Sequence, residues 1–160
     1  MLDPQPDRLV LRAPERELVV RLRPLLPTPR AIKRFVNLYR LVRLGVPEDE
    51  LDGFVGADGT GEHQAALVLL ALTVSSPGAA RVVFEALAPD LGDGPPRCAG
   101  DMWMLLRHLA DDTPELVPVV RLLDGVRADI DLPGDLDRYR RWAGTVARFS
   151  IETCDLTQPR

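Results

Sequence analysis

Cysteine and histidine are scarce in this chain, which limits its redox and metal chemistry. Cys98 and Cys154 are the only two cysteines among 160 residues. They lie far apart without CxxC spacing, which predicts free thiols and neither a disulfide framework nor a zinc site. The two histidines, His63 and His108, are not joined by further ligands at metal-binding spacing. The sequence therefore predicts no metal site.

Long apolar runs are also missing, which bears on membrane insertion. The longest run, residues 65–74, is far shorter than the roughly 20 residues that a membrane-spanning helix needs. Residues 3–8 are polar or proline, so the opening does not resemble a secretory signal peptide. We therefore expect a cytoplasmic protein with no membrane partner.

Recognisable catalytic motifs are absent as well. Residues 56–62 are glycine-rich and precede a predicted helix, as phosphate-binding loops do. A P-loop, however, requires GxxxxGK followed by Ser or Thr, because the lysine contacts the phosphates and the hydroxyl binds magnesium. Here Gly61 is followed by Glu62 and His63, and the chain contains no GxSxG elbow. These residues predict a structural loop and a chain that is not an enzyme by itself, with no catalytic residue and no cofactor.

Charge is unevenly distributed along the chain, although the net charge is only −4. Residues 1–45 contain ten basic and four acidic residues, and residues 46–160 contain ten basic and twenty acidic ones. Such asymmetry indicates either a surface for anions or nucleic acid, or two parts of one molecule that complement each other. The second interpretation is the simpler one.

Proline and glycine are spread between apolar stretches, which is typical of short helices joined by tight loops. The periodicity predicts an all-α fold, a compact single-domain bundle of about six to seven short helices. We expect an N-terminal arm at 1–13, a helical domain at 14–150 and a tail at 151–160. The predicted helices cover 14–25, 28–44, 61–74, 76–87, 99–110, 114–128 and 135–149, with a short acidic turn of helix after Pro47, a cap at Thr60 and a loop at 90–97.

The helix at 28–44 is the most informative element. Thr28 is a good N-cap, Pro29 favours the first helical position, and Gly45 can end the helix. At 100° per residue the apolar side chains share one face, which we expect to dock on the core, and the opposite face is cationic. The inner set is Ile32, Phe35, Tyr39 and Val42, and the outer set is Arg30, Lys33, Arg34, Asn37 and Arg40. The outer set can bind an anion through free N–H groups of the first turn, or it can be a solvated face.

The same segment carries a family resemblance. Residues 28–43 contain the pattern PR-x-IKRF-x-N, which resembles a segment of the C-terminal helical region of KAP-type and related STAND-like bacterial P-loop NTPases. Residues 61–65 and 142–150 are similar to the continuation of that region. The resemblance is specific at 28–43 and loose elsewhere between about 15 and 150.

This resemblance implies a non-catalytic helical lid or accessory domain that couples nucleotide state to conformational switching. Arg30 takes the role of a sensor of the γ-phosphate, Lys33 and Arg34 assist it, and Asn37 and Arg40 belong to an interaction surface. The Walker A and Walker B elements are missing, so the NTPase core is expected in cis or in trans, and ATP is relevant only with that core. A homo-oligomer is a further expected partner. The alternatives are a free-standing helical adaptor for protein interaction and, least favoured, a nucleic-acid-binding module that uses helix 28–44.

Overall fold

A computed structural model describes residues 9–88 and 100–149, and this part of the chain is all-α, as predicted. Its eight α-helices exceed the predicted six to seven, since the acidic turn after Pro47 ends in a five-residue helix of its own. The predicted loop at 90–97 and tail at 151–160 lie outside the described residues. The helices are α1 Ala13–Arg21, α2 Pro29–Leu44, α3 Leu51–Val55, α4 His63–Ser75, α5 Pro77–Leu87, α6 Met102–Asp112, α7 Leu116–Asp129 and α8 Leu136–Ala147, with 3₁₀ turns at Arg23–Leu25 and Glu48–Glu50.

Helix α4 is the centre of the bundle. Every residue from 63 to 73 is buried, so this helix is covered on all sides, as its apolar sequence predicts. Helices α1, α2, α3, α5 and α8 all pack against it. The core therefore forms around one helix, and the other elements present an inner and an outer face.

Helix boundaries follow proline and capping residues, and several of them depart from the prediction. Helix α1 ends at Arg21 and continues as a 3₁₀ turn, because Pro24 cannot donate the next helical hydrogen bond. The prediction that Thr60 caps α4 is wrong: its hydroxyl donates to Asp58 Oδ1 at 2.6 Å, and α4 begins three residues later. A local turn thus competes successfully for the threonine side chain.

The starts of α6 and α8 are joined by a short backbone bridge. The Met102 N–H donates to the Gly134 carbonyl, and the Leu136 N–H donates to the Gly100 carbonyl, both at 2.8 Å. Asp101 accepts from the N–H groups of the first turn of α6, so this helix begins at Met102 and not at the predicted residue 99. The bridge fixes the α6–α7 hairpin beside α8.

No helix in the described ranges is long and apolar enough to cross a bilayer.

Candidate functional site on the outer face of α2

The inner face of α2 is locked into the core. Phe35 and Tyr39 are fully buried, Val42 is almost so, and the Tyr39 ring stacks on Phe54 of α3 at 6.5 Å. Burying each such side chain contributes about 1.5–3 kcal/mol. The rotation of α2 about its own axis is therefore fixed, and so is the direction in which its opposite face points.

A buried ion pair joins α2 to α1. The Glu15 carboxylate is 0% exposed and accepts from the Tyr39 hydroxyl at 2.5 Å and from Arg43 Nε at 2.9 Å. Its second oxygen accepts from the Arg12 N–H at 2.6 Å. Burial, together with the negative charge of Glu15, raises the pKa of Tyr39, so this hydroxyl remains a donor. The periodicity of the sequence gives no signal for this contact, since its two charged residues lie 28 positions apart.

The outer face of α2 carries all five residues that the sequence assigned to it. Each is exposed, and none forms an ion pair or a side-chain hydrogen bond with another residue of the described part of the chain. Nearby basic residues differ in this respect: Arg12 pairs with Asp52 at 2.7 Å, and Arg21 pairs with Asp129 at 3.0 Å. The outer face is thus a cationic surface whose charges are not neutralised by ion pairs with other described residues. Its residues are Arg30, Lys33, Arg34, Asn37 and Arg40.

The first turn of α2 offers fewer backbone donors than the sequence suggested. The Thr28 hydroxyl accepts from the Ala31 N–H at 3.1 Å, and the Thr28 carbonyl accepts from the Ile32 N–H. Pro29 has no N–H. Only the Arg30 N–H is left in this turn, so the expectation of several free N–H groups is wrong. Any anion here would be bound mainly by side chains.

Two leucines also lie on the outer face, and the sequence analysis did not single them out. Leu41 is 51% exposed and Leu44 is 41% exposed. Each follows a polar residue of the face by one helical turn, Asn37 and Arg40 respectively. Arg40 additionally lines a surface cleft of about 400 Å³ with Arg16 and with residues 9–11. The outer face is therefore cationic along its first three turns and mixed cationic and apolar at its end.

The glycine-rich loop at 56–61 is explained by packing. A Cβ atom at Gly61 would lie 2.3 Å from the Phe54 carbonyl oxygen, and the Gly61 N–H donates to the Val55 carbonyl at 3.1 Å. Gly56 has a φ of 77°, which other residues rarely adopt. These glycines let the loop cross the end of α3 at backbone contact distance.

The two histidines occupy different environments. His63 is buried, its Nδ1 lies 3.3 Å from the Phe54 carbonyl oxygen, and its Nε2 has no hydrogen-bond partner among the described residues. Burial lowers the pKa of His63. His108 is exposed on α6. The described ranges contain no group of three or more His, Cys, Asp or Glu that could hold a metal ion.

The chain matches no protein-family model, no curated protein and no solved structure. The resemblance of residues 28–43 to the helical region of P-loop NTPases stays a prediction.

Proposed function

We propose that this chain is a non-catalytic helical lid or accessory domain of a bacterial P-loop NTPase, which couples the nucleotide state to conformational switching. One observation carries the proposal: Arg30, Lys33 and Arg34 are exposed without a carboxylate partner in the described residues, on a helix whose other face is locked. An NTPase core in cis or in trans supplies the nucleotide. ATP binds only in that assembly.

Side chains of the outer face act as the phosphate contacts in this proposal. A guanidinium group pairs with phosphate oxygens through two parallel, charge-assisted hydrogen bonds. Arg30, next to the helix start, contacts the γ-phosphate, while Lys33 and Arg34 neutralise the remaining charge. Loss of the terminal phosphate removes these contacts and releases the lid. The buried pair of Glu15 and Arg43 keeps α2 attached to α1, so the lid moves as one body.

The first experiment is an immunoblot of the host lysate with an antibody raised against the chain. A band far above 17.7 kDa places the NTPase core in cis, and a band at that mass requires a core in trans. Affinity purification with ATP and with ADP then identifies bound P-loop proteins by mass spectrometry. We expect recovery of a P-loop protein to depend on which nucleotide is present.

Substitution of Arg30 tests its proposed role as the sensor of the γ-phosphate. Arg30→Ala should remove the difference between ATP and ADP while the fold, measured by circular dichroism, is unchanged. Arg121→Ala is the matched control, since Arg121 is also exposed and forms no ion pair within the described residues. A nucleotide-dependent complex that survives Arg30→Ala unaltered would contradict the proposal.

The alternative is a free-standing adaptor for protein interaction. Leu41 and Leu44 favour it, because exposed aliphatic side chains beside cations are typical of contact surfaces between proteins. If the chain is an adaptor, its complex with the partner protein should form equally with ATP, with ADP or without nucleotide. The purification described above separates the two candidates.

The cationic outer face also keeps nucleic-acid binding as a second alternative. Such binding predicts an affinity that falls steeply with salt, because phosphate contacts release counterions. Fluorescence anisotropy with a labelled duplex and a labelled single strand tests this. Absence of binding at low salt removes it.

A further inference from the structure

A surface groove lies where the end of α2 meets α3 and α8. Its volume is about 630 Å³. The apolar part of its lining comes from Val42, Val46, Phe54 and Trp142, and the rings of the last two are 5.0 Å apart. We call this surface the acidic groove, for the carboxylates described next.

Three carboxylates line the acidic groove against one guanidinium. Glu62 is already engaged, since its oxygens accept from Trp142 Nε1 at 2.9 Å and from Arg141 at 3.0 Å. Asp49 and Glu50 are exposed, and neither has an ion-pair partner in the described ranges. Arg148 also lines the groove, and Arg138 Nε lies 3.5 Å from Glu62 Oε1. Because Glu62 is neutralised by its own arginines, Asp49 and Glu50 are the two carboxylates of the lining that are available for cations, beside the apolar side chains.

The same chain presents a surface of the complementary chemistry. On the outer face of α2, Leu41 and Leu44 are exposed and are flanked by Arg34 and Arg40, which have no carboxylate partner among the described residues. We call these four residues the α2 edge. No acidic residue occurs anywhere in α2. The edge thus offers two aliphatic side chains for an apolar base and two cations for an acidic rim.

We infer that the acidic groove of one copy of this chain receives the α2 edge of a second copy. Leu41 and Leu44 enter the groove over Phe54 and Trp142, while Arg34 and Arg40 pair with Asp49 and Glu50 of the receiving copy. Because the contacting surfaces differ, the association is heterologous and extends into a series or closes into a ring. The contact needs no nucleotide and no NTPase core, so it is tested separately from the proposed function, although both use Arg34.

Sedimentation velocity of the full chain over a range of concentrations tests the contact. The wild-type chain should associate as concentration rises, and less so at high salt, because ions screen the charged rim. Reversal of the rim with Asp49→Arg and Glu50→Arg, or of the edge with Arg34→Glu and Arg40→Glu, should weaken association about tenfold or more. An equal mixture of the two reversed chains should associate again. The rim-reversed chain keeps its cationic α2 edge for the intact acidic groove of the other chain, and its own cationic rim matches the other chain's acidic edge.

Matched controls separate this contact from a general effect of net charge. Asp111→Arg with Asp112→Arg, and Arg23→Glu with Arg121→Glu, make the same charge changes at exposed residues outside the groove and the edge. Circular dichroism verifies that every variant folds, and Leu41→Ser with Leu44→Ser weakens association without changing charge. A wild-type chain that stays monomeric at all concentrations overturns the inference. So does association that resists all these substitutions, or controls that weaken it equally.

Discussion

At the scale of single residues, the buried Glu15 carboxylate holds three partners, since it accepts from the Arg12 N–H, the Tyr39 hydroxyl and Arg43 Nε. Replacing it with glutamine removes the negative charge but keeps the volume, and Arg43 then remains buried at 2% exposure without that charge. Removing one partner of a buried pair costs about 3–5 kcal/mol. We expect Glu15→Gln to lower the free energy of unfolding by about this amount, measured by urea denaturation.

The triple variant Glu15→Leu, Tyr39→Phe and Arg43→Met is the control for this prediction, since it removes both charges together with the buried hydroxyl that donates to Glu15. Replacement of both charges by apolar groups of similar size is often neutral, since the desolvation cost of both ions disappears. Recovery of most of the lost stability would assign the effect to the uncompensated charge. A Glu15→Gln variant as stable as wild type would show that the carboxylate is not a structural anchor.

His63 makes stability depend on pH. In the unfolded chain its pKa is about 6.5, and burial lowers the pKa in the folded state. Between these two values the unfolded state binds the proton and the folded state does not, so protonation favours unfolding. We expect the contribution of His63 to be constant above about pH 6.5 and stability to fall below it until the folded-state pKa is passed.

The midpoint of urea unfolding, measured at several pH values from neutral to mildly acidic, reports this effect. His63→Gln should flatten the decline in that range. His108→Gln is the matched control, because His108 is exposed and the substitution should leave the profile unchanged. An unaltered decline in the His63 variant would assign the pH dependence to the carboxylates.

At the scale of elements, glycines at two positions have opposite roles. Gly61→Ala places a Cβ against the backbone of α3, at 2.3 Å from the Phe54 carbonyl oxygen, so the loop between α3 and α4 must shift. Gly125 lies inside α7 with nothing within 4 Å of the corresponding Cβ. Alanine there should stabilise the helix by about 0.5–1 kcal/mol.

Thermal unfolding of the two alanine variants compares these positions directly. We expect the midpoint to fall for Gly61→Ala and to rise for Gly125→Ala. A tolerated Gly61→Ala would mean that the loop adjusts freely, and a function other than close packing would then be needed for this glycine.

The sequence predicts elements well where local physics decides them. Thr28, Pro29 and Gly45 delimit α2 to the residue, because capping and the fixed φ of proline are local effects. The buried α4 is equally clear from composition alone. The prediction is less accurate where distant residues meet: α6 begins later than predicted, and its start is bonded to Gly134, more than thirty positions away.

Prediction of the candidate site has the same limit. A helical period of 100° places Arg30, Lys33 and Arg34 on one face from sequence alone. The same period places Leu41 and Leu44 on that face, one turn after Asn37 and Arg40, but the general preference of leucine for the core argues against their exposure. Their exposure depends on which faces of α2 the neighbouring helices cover, and that is decided only by the assembled bundle.

At the scale of the whole molecule, charge asymmetry is only partly neutralised within the chain. Within the basic segment, residues 1–45, Arg12 and Arg21 pair with Asp52 and Asp129, which ties the segment to the rest of the bundle. Arg43 pairs with Glu15 inside the segment. The cations on the outer face of α2 have no such partner among the described residues. Ion pairs within the chain therefore neutralise Arg12, Arg21 and Arg43. The cations on the outer face of α2 are available for an anionic partner.

The packing of the bundle predicts two levels of local stability. Helix α4 contacts helices on all sides, whereas helices α6 and α7 pack mainly on each other. Their contacts to the rest of the bundle include α5, the first 3₁₀ turn, the bridge to α8, the Arg21–Asp129 ion pair and the Trp103–Tyr139 ring contact. Native-state hydrogen exchange reports the free energy of the opening that exposes each amide. We expect amides of α4 to exchange only by global unfolding and those of α6 and α7 to exchange by a partial opening of lower free energy.

Two core truncations distinguish this partial opening from a single cooperative unit. Leu123→Ala on α7 and Leu69→Ala on α4 remove fully or almost fully buried side chains, and each should cost about 2–5 kcal/mol. Leu69→Ala should accelerate exchange of the amides that need global unfolding, those of α4 among them, and leave the partial opening of α6 and α7 unchanged, because α4 stays folded in that opening. Leu123→Ala should lower the free energy of the partial opening and of global unfolding by the same amount. Amides of α6 and α7 should therefore still exchange faster than those of α4, and the difference between the two free energies should stay as in wild type. If all protected amides exchange at one common free energy in wild type and in both variants, the hairpin does not open separately, and the bundle unfolds as one unit.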